Sequence, residues 1–75
     1  MELRLKVLEE IDSKEEVNES KLGVSASDFD DAVNFLHREG YIRGIFYGDD
    51  RPGFEQGAAY LTEKGEVYYN QNKKM

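Results

Sequence analysis

The single histidine, His37, is the residue best suited to metal or acid–base chemistry, so its neighbours decide what it could do. Asp30 and Asn34 would share one face of a helix with it. One imidazole with only oxygen ligands beside it makes a poor zinc site, because zinc sites in proteins draw on thiolates and several imidazoles. Cysteine is absent, which removes thiolate ligands and disulfide bonds. We therefore expect no metal and no other cofactor.

Motifs for catalysis are missing from the rest of the chain. Serine, histidine and acidic residues are not spaced for nucleophilic catalysis beyond chance. The glycines of Gly48–Gly53 lack the lysine and the strand–loop–helix context of a phosphate-binding loop. The carboxylates lie in polar stretches and are expected to be exposed, so their pKa values would not be tuned for general acid–base catalysis. The sequence therefore predicts a protein that is not an enzyme, and it reveals no small-molecule ligand site.

Length and charge narrow the class of protein. The 75 residues suffice for one domain, 1–75, with a small core. The net charge is −6, and residues 1–39 carry eleven acids against five bases. A nucleic-acid-binding protein usually has a basic face, and none is evident. No stretch has the pattern of a signal peptide or a membrane span. We expect a cytoplasmic protein without a membrane partner.

Hydrophobic spacing predicts helices on both sides of a β-ribbon. An apolar stripe predicts a first helix over 2–12. Ser13 and Glu16 have the spacing of a capping box, which predicts a second helix over 14–22. Gly23 follows, where a glycine is typical of a helix end.

The third and fourth helices have the clearest signals. Residues 27–39 form a helix behind a serine cap, and Gly40 ends it. Its buried stripe is predicted to consist of Phe29, Ala32, Val33 and Leu36. Thr62 is typical of an N-cap and predicts a last helix over 63–72, while the terminal residues 71–75 are expected to fray.

Two strands are predicted between these helices. Tyr41–Tyr47 is rich in aromatic and β-branched residues, and Ala58–Leu61 is the second strand. Gly48–Gly53 is a cluster of turn residues. Phe54–Gly57 either continues the loop or begins the return strand. The pattern predicts a hairpin with a long tip.

Two stretches resemble parts of a winged helix-turn-helix domain. FLHREGYIRG resembles the junction of recognition helix and wing, and YLTEKGEVYY resembles the junction of wing and last helix. Over roughly residues 2–70 the chain is most similar to the small YjcQ-like proteins of bacteria and their phages, a family with no settled function. The resemblance implies an α+β winged helix: a three-helix helix-turn-helix core, a β-hairpin wing and a C-terminal helix. The alternative is that both stretches are cap-and-turn signals of another α+β domain.

The resemblance makes residues 27–39 the recognition helix, whose face opposite the buried stripe would meet DNA. That face carries Asp30, Asp31, Asn34, His37 and Arg38. The last three can bind base edges in the major groove, and Arg43 and Arg51 of the wing would hold the phosphate backbone. Asp30 and Asp31 would repel phosphates, unless they only stabilise the helix dipole.

Aromatic residues are numerous for so short a chain, with five tyrosines and four phenylalanines. Some would close the core around the hairpin. Any surplus would form an exposed patch, and such patches mark protein interfaces. We expect a protein or homodimer interface at Val67, Tyr68 and Tyr69 of the last helix.

Two hypotheses for function follow, and both describe a non-enzymatic binding module. The first is a DNA-binding transcriptional regulator that uses the winged helix on duplex DNA, which the analogy of fold supports. The second is a protein–protein interaction or homodimerisation module whose acidic helix face does not bind DNA. The acidity and the aromatic surplus support this second hypothesis.

Overall fold

The computed structural model describes residues 2–48, 51–54 and 58–73. Within these ranges the helices are α1 (Leu3–Asp12), α2 (Glu19–Leu22), α3 (Ala26–Arg38) and α4 (Glu63–Asn72). The strands are β1 (Ile42–Arg43), β2 (Ile45–Gly48), β3 (Arg51–Phe54) and β4 (Tyr60–Leu61). The predicted α+β class is confirmed, with two small antiparallel sheets between α3 and α4. No helix of the described ranges is long and apolar enough to cross a bilayer.

Helices α1 and α3 supply most of the core. The predicted stripe of α3 is buried at all four positions, and it packs with buried residues of α1. The fully buried side chains are Val7, Leu8, Val33, Leu36 and Ile42. Ser25 begins α3, because its Oγ accepts a hydrogen bond of 3.1 Å from the backbone N–H of Asp28. The apolar spacing therefore places α3 against α1 and leaves its polar flanks for other contacts.

The predicted second helix over 14–22 is wrong in its first half. Ser13 is the C-cap of α1, and its backbone N–H binds the carbonyl of Glu9. Lys14 then has a φ of 61°, a left-handed conformation that ends the helix. Helix α2 begins instead after Asn18, whose side chain accepts a hydrogen bond of 2.7 Å from the backbone N–H of Lys21. Ser13 has the spacing of a capping box, but it ends α1 and does not begin a second helix.

The predicted strand Tyr41–Tyr47 is divided in two at Gly44. This glycine has a φ of 84°, and a side chain there would collide with the carbonyl of Ala58. As a result β1 pairs with β4, whereas β2 pairs with β3 in a separate sheet. The register of these sheets includes Ile42↔Leu61 in the first and Ile45↔Phe54, Tyr47↔Pro52 and Gly48↔Arg51 in the second.

The predicted long tip Gly48–Gly53 is also wrong, because the return strand β3 begins at Arg51. Phe54 belongs to β3, so the return strand already includes this residue. The other residues of the predicted segment Phe54–Gly57 lie outside the described ranges, and so do the two residues that link β2 to β3. The outcome is a β2–β3 hairpin with a two-residue connection, as the pairing of Gly48 with Arg51 requires.

Helix α4 is anchored at its first turn. The hydroxyl of Thr62 accepts a hydrogen bond of 3.0 Å from the N–H of Gly65 and donates one of 2.6 Å to the carbonyl of Gly40. Gly65 is buried against the backbone of Tyr41, where a side chain would meet the carbonyl oxygen. The expected fraying from residue 71 is not observed up to residue 72, which is helical; residues 74 and 75 lie outside the described ranges.

The close approach of α4 to Tyr41 can be tested with Gly65→Ala. Alanine normally stabilises a helix interior by about 1 kcal/mol relative to glycine. Here the methyl group would displace the backbone, so we expect the free energy of unfolding to fall by about 1–3 kcal/mol in urea denaturation followed by circular dichroism. In the control Gly48→Ala the new methyl group meets open space, and we expect a change within about 0.5 kcal/mol. A Gly65→Ala protein as stable as the parent would contradict the close approach.

Candidate functional site

The β2–β3 hairpin covers one polar flank of α3. That flank consists of Asp30, Asn34 and His37, which are spaced by four and three residues. The Tyr47 hydroxyl of β2 donates a hydrogen bond of 2.9 Å to Asn34 Oδ1 and lies 3.5 Å from His37 Nδ1. The rings of Tyr47 and His37 meet edge to face with centroids 5.7 Å apart. Two of the residues proposed to read DNA bases are thus already in contact with the hairpin.

The same flank binds Arg51 of β3 in what we call the Arg51 clasp, formed by Arg51, Asp30 and Glu19. The guanidinium donates to both carboxylate oxygens of Asp30, at 2.7 and 2.9 Å, and to Glu19 Oε1 at 3.1 Å. A backbone N–H at the start of α2 and the Arg51 guanidinium both lower the pKa of Glu19. Hydrogen bonds to Asp30 and Glu19 raise the pKa of Arg51. Two carboxylates therefore neutralise the arginine that was predicted to hold a DNA backbone.

The remaining solvent-facing arc of α3 is acidic. Ser27, Asp28, Asp31 and Arg38 are exposed along it. The prediction that Asp30, Asp31, Asn34, His37 and Arg38 share one outward face is therefore only partly met: Asp31 and Arg38 face solvent, and the other three are partly covered. Arg43 is exposed on β1, and its guanidinium donates to the carbonyl of Ile42 at 2.9 Å. Of the five residues proposed to bind nucleic acid, only Arg38 and Arg43 keep a largely solvent-facing side chain without a carboxylate partner among the described residues.

The predicted interface on α4 is also only partly exposed. Val67 is 50% exposed. The ring of Tyr68 stacks on Tyr41 with centroids 4.4 Å apart, and Tyr69 turns toward α1, where its hydroxyl lies 3.5 Å from Glu9. Burial raises the pKa of both phenols. A shallow groove runs along this face between Tyr41, Lys64 and Val67.

A second shallow groove lies between the hairpin and the start of α2, and sequence reasoning missed it. We call it the hairpin groove; Val17, Phe29, Phe46, Pro52, Gly53 and Phe54 line it together with the clasp residues Glu19 and Arg51. Phe46 is 54% exposed there and lies beside Gly53 of the opposite strand. The signal was the pairing of an aromatic residue with a glycine across the hairpin, which becomes visible only once the register is known.

Metal ligands do not converge in the part of the chain that the structure describes. It contains no group of three or more histidine, cysteine or acidic side chains arranged to hold a metal ion. His37 instead contacts Tyr47, and Asp30 is bound to Arg51. The polar side chains of the α3 flank thus stabilise the docked hairpin.

These features define a small α+β protein in which a short hairpin docks on the longest helix. The family model described as YjcQ protein matches residues 3–75, so the chain belongs to the YjcQ family. It is 49% identical over 71 residues to the Bacillus subtilis (strain 168) protein named "Uncharacterized protein YjcQ", an alignment of 93% of this chain and 76% of the relative. The solution NMR structure of the YjcQ protein from Bacillus subtilis matches with a TM-score of 0.87 at 47% identity, over 99% of this chain and 96% of that one.

The Arg51 clasp predicts a specific change in titration. In Arg51→Gln we expect the pKa of Glu19 to rise toward its ordinary value of 4.5, without reaching it because the backbone N–H remains. A lowered folded-state pKa stabilises the fold above the unfolded value, and this contribution is lost as the pH falls from 4.5 through the folded value. Carboxyl-carbon NMR reports the shift directly. Arg38→Gln removes the same charge from an exposed position of α3 and serves as the control. A Glu19 pKa that stays unchanged in Arg51→Gln would contradict the clasp.

Proposed function

We propose that this protein is a non-enzymatic winged-helix module that binds another protein and does not bind duplex DNA through α3. The order α1, α2, α3, hairpin, α4 supports the winged-helix interpretation, with the β2–β3 hairpin as the wing. Helix α3 would be the counterpart of a recognition helix, since it follows α2 after a turn with Gly23 in the left-handed conformation. The fold alone does not determine the function, which has to be inferred from the residues on the surface.

The observation that carries the proposal is the contact between the hairpin and α3. A helix that reads DNA needs free donors and positive charge where the groove and the phosphates approach. Here Tyr47 contacts Asn34 and His37, and the clasp neutralises Arg51. The exposed arc that is left carries Asp28 and Asp31, which a phosphate backbone would repel.

The apolar surface supports a protein as the partner. Phe46, Tyr47, Tyr60 and Val67 are each at least half exposed. Exposed aromatic residues in shallow grooves are typical of protein interfaces, where aromatic side chains contribute much of the binding energy. A homodimer through α4 belongs to the same class of function, with Val67 and the Tyr41–Tyr68 stack as its contacts.

The proposal that the protein is not an enzyme has separate support. Its one histidine and the carboxylates of Glu19 and Asp30 are engaged in the hairpin contacts, where hydrogen bonds and ion pairs hold them. Glu19 lines a shallow, open groove, and such a groove would not exclude water from a reaction.

A titration with DNA tests the proposal. A fluorescein-labelled duplex of mixed sequence is titrated with the protein at about 50 mM salt, where non-specific electrostatic binding is strongest. We expect no rise in anisotropy up to about 100 µM protein, because only Arg38 and Arg43 of the five residues proposed to bind DNA keep an exposed charge without a carboxylate partner among the described residues. The alternative, a DNA-binding regulator, predicts binding that weakens steeply with salt.

Matched variants identify the surface if the duplex does bind. Arg38→Ala and Arg43→Ala remove the two exposed arginines of α3 and β1, and Lys64→Ala removes a base from the α4 face. Salt-sensitive binding that Arg38→Ala and Arg43→Ala abolish while Lys64→Ala leaves it intact would establish the DNA hypothesis and overturn the proposal.

A further inference from the structure

We infer that the hairpin groove binds a cationic, extended peptide segment of a partner protein, with one aromatic or aliphatic side chain of that segment as its anchor. This inference rests on the proposed function, because it names the surface and the class of partner for a protein-binding module. Three features of the molecule lead to it: the exposed Phe46, the apolar floor of the groove, and the charge around it.

Phe46 is placed so that its ring is available to a partner. It projects beside Gly53, and a Cβ atom built on that glycine would lie 2.8 Å from the ring. Glycine at this position therefore lets the ring lie against the opposite strand, with 54% of the residue left exposed. An exposed ring of this kind loses little conformational entropy when a partner covers it.

The floor of the groove is apolar and well supported. Phe29 of α3 and Phe54 of β3 pack with ring centroids 6.2 Å apart, and Pro52 is buried beside them. Val17 also lines the groove. A side chain entering the groove would bury apolar surface against these residues, at roughly 25 cal/mol per Å² removed from water.

The charge around the groove selects a cationic partner. Residues 9–31 contain nine acidic residues and two lysines, and Val17 and Glu19 of the groove belong to this segment. Lys21 is already held by Glu10 at 2.9 Å and Glu15 at 3.8 Å. The basic group of the groove itself, Arg51, is neutralised by the clasp. Glu16 and Asp28 adjoin the lining residues Val17 and Phe29 in the chain, and both are exposed.

Other occupants fit this surface less well. A nucleic acid would bring phosphates to an acidic rim. A second copy docked by a symmetric contact would place the same acidic segment against itself, and like charges across an interface are unfavourable. The shallow groove along α4, between Tyr41 and Val67, has mixed charge because Glu63 and Lys64 both line it. Its charge therefore does not favour a cationic or an anionic partner.

The inference is tested by NMR titration of the ¹⁵N-labelled protein with two blocked peptides, Lys-Lys-Phe-Lys-Lys and Lys-Lys-Gly-Lys-Lys. They carry the same charge and differ in the anchor alone. We expect the phenylalanine peptide to shift the amides of Val17, Gly48 and Gly53 in a saturable way, with a Kd below about 1 mM. The glycine peptide should bind about tenfold more weakly.

Variants assign the anchor site. Phe46→Ala should weaken the phenylalanine peptide about tenfold, whereas Tyr60→Ala, which removes an equally exposed aromatic ring from β4, should leave the affinity unchanged. If Phe46→Ala unfolds the protein, the comparison of the two peptides on the unaltered chain still decides the question.

Three results would overturn the inference: equal affinity for both peptides, shifts centred on Tyr41 and Val67, or no shifts up to about 1 mM peptide. The duplex titration is independent of these outcomes. A protein that binds neither duplex nor peptide would refute the groove as the site while leaving the protein-binding function intact. A protein that binds duplex through Arg38 and Arg43 would refute the function itself.

Discussion

The close approach of Gly44 to the carbonyl of Ala58 is the constraint on which the surface of this protein depends. The ribbon after α3 divides into two sheets at this point, where a positive φ and the nearby carbonyl both require a residue without a side chain. The first sheet closes the core beside Ile42. The second becomes a separate hairpin that lies along α3, and this placement fixes where Tyr47, Arg51 and Phe46 end up. Both the covered polar flank and the hairpin groove are therefore consequences of one glycine.

Docking the hairpin gives the acidic start of α3 an internal partner. Asp30 would otherwise extend the negative surface formed by Asp28 and Asp31. Its bidentate pairing with Arg51, shared with Glu19, ties α2, α3 and β3 together by geometry that a single lysine could not reproduce. These exposed ion pairs contribute modestly to the stability of the fold, since water screens them. Their larger effect is on charge, because they neutralise the arginine of the hairpin.

The helices could be predicted from the sequence because their signals are local. Apolar spacing and the caps at Ser25 and Thr62 placed α1, α3 and α4 to within one residue. The start of α2 was mispredicted because Ser13 serves the end of α1, and two overlapping local signals compete there. The division at Gly44 depends on Ala58, fourteen residues further along the chain. The polar contacts of Asn34, His37 and Asp30 are also long-range, so the sequence indicated their helical face and not their partners.

Pro52 has a further consequence for how the hairpin can associate. A two-stranded ribbon has two open edges, and such edges can recruit additional strands and promote aggregation. Proline within a strand is tolerated where its nitrogen points away from the paired strand, so the open edge of β3 lacks an N–H donor at its middle. A fibril-like stack of strands would break at that position. The hairpin can thus present aromatic side chains to the solvent while its β3 edge discourages the addition of another strand.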